Sequence, residues 1–368
     1  MRSLIVSKAL VVGAYRQKLR ELARLGVEVV AVVPPEWREG GGAQPLEPLE
    51  DRDYRLIVTR MRWNGHFHVH YYPALPRILR EQRPDIVHVD EEPYNLATAL
   101  AVHAARRCGR PSLFFSWQNI VRSYPPPFSW MERYVYRTVA AGLAGSRDVV
   151  EVLRNKGFSG PLFEVPQFGV DPAVFSPGDR RGGRFTVGFP NRLIAAKAPL
   201  LALHAFARLP HDACLRIVGD GPLRGPVEAE VERLGLGDRV SVRPRLPSSH
   251  MPGFLRETDV VVLPSVTTPR WREQFGRVLI EAMATGVPVV ASDSGEIPRV
   301  VGDAGIIVPE GDERALAGAL LRLYADPNLR DQLGMRGRER VLERYTHARV
   351  AEDTIDAYRQ ALSGGAAR

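Results

Sequence analysis

Short β-branched runs alternate with helical patterns twice along this chain, and that double alternation limits the folds open to it. In residues 1–165, Leu4–Ser7, Val27–Val33, Ile86–Val89, Leu113–Phe115 and Leu143–Ala144 read as strands. Continuous apolar strands suit a parallel sheet covered on both faces. Helical patterns over Tyr15–Leu25, Leu96–Arg107, Trp130–Ala141 and Arg147–Asn155 supply the covering helices. A second series starts at Phe185, with strands expected at Phe185–Phe189, Cys214–Val218, Val240–Val242, Val260–Leu263, Val287–Ala291 and Gly305–Val308. The expectation is an α/β chain of two doubly wound, Rossmann-like domains facing each other across a cleft. The boundaries are 1–166 for the first domain, a Pro- and Gly-rich linker or hinge at 167–184, a second domain at 185–349, and a terminal helix within 350–368. One stretch breaks the rhythm. Tyr54–Thr59 and His66–Tyr72 flank Asn64-Gly65, which predicts an edge β-hairpin.

Length and composition narrow the function classes. A chain of 368 residues with 45% hydrophobic and 25% charged residues is globular. No run approaches the apolar length of a spanning helix. The N-terminal apolar run reads as a core strand rather than a secretory signal. Cys108 and Cys214 lie far apart and suit small buried hydrophobes in a reducing, cytoplasmic compartment. The net charge of +8 favours an anionic partner. It is spread along the chain, so it does not choose among a nucleotide, a nucleic acid and a lipid surface.

Three segments carry chemistry. Arg192 and Lys197 follow the first strand of the second series, where two cations and nearby backbone N–H groups suit a diphosphate. Val218-Gly219-Asp220-Gly221-Pro222 is a second strand-to-turn junction that allows close ligand approach. Glu273 precedes a helix expected from about Gly276, and Glu281 lies one to two turns inside it. The spacing of these carboxylates suits two separate groups of sugar hydroxyls. Nothing in the sequence raises the pKa of either, so they do not read as an acid–base pair. His66, His68 and His70 alternate on the expected hairpin, a pattern that could gather a metal but reads better as an edge-strand surface.

The Glu273-to-Val290 segment resembles the Glu-x7-Glu signature of retaining nucleotide-sugar glycosyltransferases of family 4, which have the GT-B fold. Arg192…Lys197, Val218–Pro222, Asp259–Ser265 and Ser294-Gly295-Glu296-Ile297-Pro298 extend the resemblance over nearly the whole chain. It implies a retaining hexosyltransferase that moves sugar from a UDP- or GDP-sugar to a hydroxyl acceptor, in envelope polysaccharide or glycolipid synthesis. By similarity, Arg192 and Lys197 contact the diphosphate. Glu273 holds the transferred sugar, the amides of Phe275 and Gly276 assist, and Glu281 binds the ribose. Gly219 and Asp220 line the donor site, and Val242–Leu246, including Arg243, lies near the base. In the first domain Gly13 stands where family members carry a glycine-rich phosphate loop. Gln118-Asn119 stands where many carry a histidine, and these amides bond sugars but are no general bases. His88 and Glu91, at a strand end, are acceptor-side candidates. No metal and no other cofactor is implied, and the terminal helix is expected to return to the first domain. Tyr124–Phe128, with Trp117 and Trp130, could shape an acceptor pocket or touch a membrane peripherally. The rival readings are a nucleotide-sugar epimerase or another GT-B enzyme and, further off, a nucleic-acid-binding protein, for which no motif is visible.

Overall fold

A computed structural model describes residues 1–39, 42–48, 53–178 and 183–365. The chain forms two compact units. One joins Met1–Gly169 to the C-terminal segment from His347, and the other is Val170–Thr346.

In the first unit the elements are β1 (Arg2–Val6), α1 (Gln17–Arg24), β2 (Glu28–Val33), β3 (Glu36–Glu39), β4 (Gly42–Pro45), β5 (Arg55–Val58), α2 (Leu75–Gln82), β6 (Ile86–Val89), α3 (Leu96–Arg107), β7 (Ser112–Ser116), α4 (Phe128–Thr138), β8 (Ala141–Ala144), α5 (Arg147–Asn155) and β9 (Leu162–Glu164). The main sheet runs β5-β2-β1-β6-β7-β8-β9, with every neighbouring pair parallel. Its central strands β6, β7 and β8 are buried throughout, as continuous apolar runs between two helical layers require. The order reverses between β1 and β6, so the crevice of this sheet lies beyond Val6 and Val89.

The second unit contains β10 (Thr186–Pro190), α6 (Pro199–Ala207), β11 (Cys214–Val218), α7 (Arg224–Arg233), β12 (Val240–Arg243), α8 (Met251–Arg256), β13 (Val260–Leu263), α9 (Arg277–Ala284), β14 (Val289–Ser292), α10 (Ile297–Val301), β15 (Gly305–Val308), α11 (Glu313–Ala325) and α12 (Pro327–Arg344). Its parallel sheet runs β12-β11-β10-β13-β14-β15. Here the order reverses between β10 and β13.

The helix α13 (His347–Gly365) closes the chain and belongs to the first unit, packed along α1. Ala351 and Ile355 enter the core beside Leu19 and Leu22, and Val350, Ala357 and Tyr358 enter the core beside Ile86 and Leu143.

The expected 54–72 hairpin is not formed. Tyr54–Thr59 instead supplies β5, which pairs parallel with β2. His66–Tyr72 is not a strand. The chain coils there through His66 N–H to Trp63 O and His70 N–H to His66 O, leaving one antiparallel bridge between Arg62 and Tyr71. This unit instead carries an antiparallel ribbon, β3–β4, which like α2 is absent from the sequence expectations. The residues expected as a linker divide: Phe175 and Ser176 accept hydrogen bonds from Arg338 and Arg256 of the second unit, and 179–182 lie outside the described residues.

Candidate active site

Strand order assembles the donor-side candidates. Because β10 lies beside β13, the loops leaving their carboxyl ends are neighbours, which brings Lys197 to Glu273 across the reversal of the sheet. The Lys197 ammonium pairs with Glu273 Oε2, and Ser265 Oγ donates to the same oxygen at 2.8 Å. The Lys197 Nζ also lies 5.1 Å from the centre of the Trp271 ring. Both partners are buried, at 9% and 6% exposure. Burial pulls the Lys197 ammonium below its ordinary pKa, the Glu273 carboxylate opposes that shift, and nearby Arg192 adds to it. Arg192 itself is exposed on the loop. The result is one exposed cation and one buried, carboxylate-held cation on the same strand-end loop.

The second junction is a tight fit between two loops. A Cβ on Gly219 would lie 1.9 Å from Asn191 O, so only glycine fits. Asp220 O accepts from Leu193 N at 2.9 Å, and Gly219 N donates to Arg243 O at 3.0 Å. The Asp220 carboxylate accepts from Arg224 Nη1 at 3.0 Å and Arg245 N at 2.9 Å. Asp220 therefore ties the ends of β11 and β12 together. Arg243 closes β12 with an exposed side chain.

Gly276 caps α9 with φ of 77°, a left-handed conformation that costs glycine little. Phe275 is buried just ahead of it. Glu281 sits inside the helix and pairs with Arg277 Nε at 2.8 Å. Burial raises its pKa, against the pull of Arg277. This corrects the expectation that neither glutamate is perturbed, because Glu281 lies on a helix whose other side chains are mostly buried.

On the first unit, the carboxyl ends of β1, β6 and β7 hold a dense polar cluster. Glu91 is 3% exposed and bound to the Lys8 ammonium, with His70 Nε2 at 3.4 Å. Against its burial, Lys8 and His70 hold it down at about 2. Ser7 Oγ and Gln167 Nε2 both donate to Asp90 Oδ2, at 2.7 and 2.9 Å. Burial pushes Glu92 up to about 7, although Ser116 Oγ and Trp117 N each donate to it at 2.7 Å. Gln118 Oε1 accepts from Lys156 Nζ at 3.0 Å, and Lys156 pairs with Glu132 at 2.5 Å. The Gln118 Nε2 is buried without a hydrogen-bond partner among the described residues. Asn119 is buried beside it in sequence.

Two acceptor-side expectations need correction. His88 is 1% exposed, and its Nδ1 meets the Tyr358 hydroxyl at 2.8 Å, so α13 seals it in the core. Burial, with Lys18 nearby, pushes its pKa well down. Glu91 is consumed by Lys8 and His70. Gly13 is also engaged, because its N–H donates to Glu47 Oε2 at 2.6 Å. The three histidines do not converge: His68 packs near Tyr94, Tyr124 and Phe128, whereas His70 faces Trp37 and Glu91. Among the described residues no group of three or more His, Cys, Asp or Glu side chains is placed to hold a metal ion. Lys156, Glu132 and Trp271 carry no site signal in the sequence, and Ser265 enters there only as the end of the Asp259–Ser265 stretch. Lys197 reaches Trp271 only through the strand order, whereas Ser265 reaches Glu273 along their shared loop.

Comparison with known proteins adds an independent line. Residues 173–340 match the model for glycosyl transferases group 1, and residues 12–166 match that for a glycosyl transferase 4-like domain. The chain is 30% identical over 270 residues to an MMP alpha-(1->4)-mannosyltransferase of Mycolicibacterium hassiacum, a match spanning 72% of this chain and 62% of that protein. It is 34% identical over 238 residues to a D-inositol 3-phosphate glycosyltransferase of Streptomyces bingchenggensis, spanning 58% and 51%. The matches thus take in between half and two thirds of those relatives' lengths. The structure of Anabaena HepE in complex with UDP superposes with a TM-score of 0.76 at 17% identity, covering 98% of this chain and all of that one. With two parallel Rossmann-like units and a family model matching each, the chain belongs to the family 4 glycosyltransferases of GT-B fold.

Proposed function

We propose that this protein transfers a hexosyl group from a nucleotide-diphosphate sugar, a UDP- or GDP-sugar, to a hydroxyl acceptor with retention of anomeric configuration. The observation that carries the reading is the Lys197–Glu273 pair at the reversal of the second sheet, with exposed Arg192 on the same loop. Arg192 and Lys197 supply fixed positive charge where the diphosphate departs. Glu273, held by Lys197 and Ser265, takes the transferred sugar's hydroxyls, and Glu281 takes the ribose. Gly219 lets the two strand-end loops of the donor side close on each other, and Phe275 and Gly276 lie at the head of α9. No protein base is required. The leaving diphosphate accepts the acceptor's proton as the glycosidic bond breaks, on the face where the new bond forms. On the first unit, the Gln118 Nε2, which has no hydrogen-bond partner among the described residues, and neighbouring Asn119 suit an acceptor hydroxyl.

No metal or further cofactor takes part in this scheme, because arginine, lysine and helix-end N–H groups bear the developing charge. The proposed setting is the cytoplasm, in polysaccharide or glycolipid assembly. No helix of the described residues is long and apolar enough to cross a membrane. A peripheral lipid contact would fall on exposed Val121 and Trp130, which bracket the proline-rich loop. The test is incubation with UDP-, GDP- and ADP-sugars, reading sugar-dependent release of nucleoside diphosphate and the anomeric configuration of the product. An inverted product overturns retention. No release and no binding of any nucleoside diphosphate overturns the transferase reading.

A further inference from the structure

A cavity of about 700 Å³ opens in the first unit beyond the carboxyl ends of β2 and β5. That is the end of an open parallel sheet where ligands bind, and the volume lies within the range of roughly 300–1,000 Å³ seen for small-molecule sites. Three guanidinium groups line it: Arg38 on β3, and Arg60 and Arg62 in the loop after β5. The lone carboxylate in the lining is Glu36, already paired with Arg38 Nε at 2.7 Å. Neither Arg60 nor Arg62 has a carboxylate within ion-pair distance among the described residues. Ala74, the N-cap of α2, stands on the wall, and the positive end of a helix favours an anion.

The loop is built, not merely charged. Asn64 clamps it to β3 with two hydrogen bonds, accepting from Arg38 N at 3.1 Å and donating to Glu36 O at 2.8 Å. Arg62 exchanges both backbone hydrogen bonds with Tyr71, at 2.9 and 3.3 Å. Between them Trp63 is held at φ of 52°, a left-handed conformation that bulky residues seldom adopt unless surrounding structure enforces it. Such a frame keeps like charges together that would otherwise spread apart.

We propose that this cavity is an acceptor subsite for an anionic sugar, one bearing a carboxylate or a phosphate, with Arg60 and Arg62 as its specificity-determining residues. The inference rests on the transferase reading for the word acceptor, and on the cavity alone for the anion. Paired guanidiniums suit either anion through bidentate hydrogen bonds.

The test is calorimetric titration of the full chain, at low and at high salt, with three probes: a hyaluronan tetrasaccharide for carboxylates, glucose 6-phosphate for phosphate, and maltotetraose as the neutral control. At least one charged probe should bind tenfold or more tightly than maltotetraose, with the advantage shrinking in salt. Which one it is identifies the anion. Arg60→Gln/Arg62→Gln should remove that advantage, and Arg62→Lys should keep part of it. Should the double variant misfold, as judged by its circular dichroism melt, Arg62→Gln alone serves, and it should reduce the advantage severalfold. The proposal is overturned if no charged probe outbinds maltotetraose, or if the advantage survives the substitutions. UDP, GDP and ADP titrated in parallel separate the two readings: failure of the unmodified chain to bind any of the three would sink the transferase assignment and leave the anion result standing.

Discussion

At the residue scale the informative contact is Lys197 with Glu273. If the ammonium both neutralises the carboxylate and binds the diphosphate, removing it has two separable effects. Lys197→Met should weaken nucleoside-diphosphate binding about 10–150-fold, the equivalent of losing roughly 1.5–3 kcal/mol of charged hydrogen bonding. It should also destabilise the second unit by about 3 kcal/mol, because a buried carboxylate is left unpaired. Lys197→Met/Glu273→Gln should recover much of the stability and none of the affinity, as read by chemical denaturation and UDP titration. Glu273→Gln alone should lower turnover while sparing UDP affinity, whereas Glu281→Gln should weaken both, since the ribose belongs to both ligands. On the first unit, Glu92 makes a pH prediction. Its folded pKa of about 7 lies above the ordinary carboxylate value, so between roughly pH 4.5 and 7 the folded state holds a proton that the unfolded state lacks. Stability therefore falls as pH rises through that window, by at most about 3 kcal/mol from this group. Glu92→Gln should flatten that decline in denaturation curves taken at pH 5 and pH 7. Glu91 acts with the opposite sign and lower down, its contribution disappearing as pH falls from about 4.5 towards 2.

At the scale of elements, the site depends on how two strand-end loops fit. Gly219→Ala would drive a methyl group into Asn191 O, a backbone atom that cannot swing aside. The expected cost is about 3 kcal/mol, at the upper end of ordinary overpacking, together with loss of UDP binding from whatever folded protein remains. Thermal melting beside UDP titration checks both. The same elements show what the sequence makes legible. β13 is readable because a strand buried on both faces is apolar along its whole length, and β2 because five buried apolar residues follow its exposed Glu28. The Glu273-to-Glu281 segment is readable because one loop and one helix carry it. The Lys197–Glu273 pair is not, since it spans 76 positions and depends on β10 lying beside β13. The 54–72 stretch departs from the expected hairpin for a related reason. Asn64-Gly65 does mark a turn, but β5 satisfies its backbone along β2, and the following segment coils back on itself. His88 looked available because the helix that buries it arrives 270 positions later.

At the scale of the whole chain, the first unit is discontinuous and the second is not. The second runs without interruption from Val170 to Thr346, whereas the first borrows α13 from the far end of the sequence. That helix is no surface appendage. Tyr358 is fully buried, its hydroxyl meets His88 Nδ1 at 2.8 Å, and its ring shares a core with Leu113, Phe115 and Leu143. Removing α13 would uncover that core and the face of α1 carrying Leu19 and Leu22. Apolar burial is worth roughly 25 cal/mol per Å², so losing one buried aromatic and several aliphatic contacts costs several kcal/mol, comparable to a domain's whole stability. Truncation after Thr346 should therefore unfold or loosen the first unit while leaving the second folded. Hydrogen exchange resolved by peptide would show it: amide protection lost in β1, β6 and α1, and retained in β10 through β15. A milder substitution separates packing from the hydrogen bond. Tyr358→Phe keeps the ring and gives up the hydroxyl that meets His88, so it should cost about 1 kcal/mol, while Tyr358→Ala should cost about 3–5 kcal/mol and reproduce the truncation in part. Equal protection loss in both units after truncation would mean that α13 stabilises the chain as a single cooperative body, contrary to the division of its core.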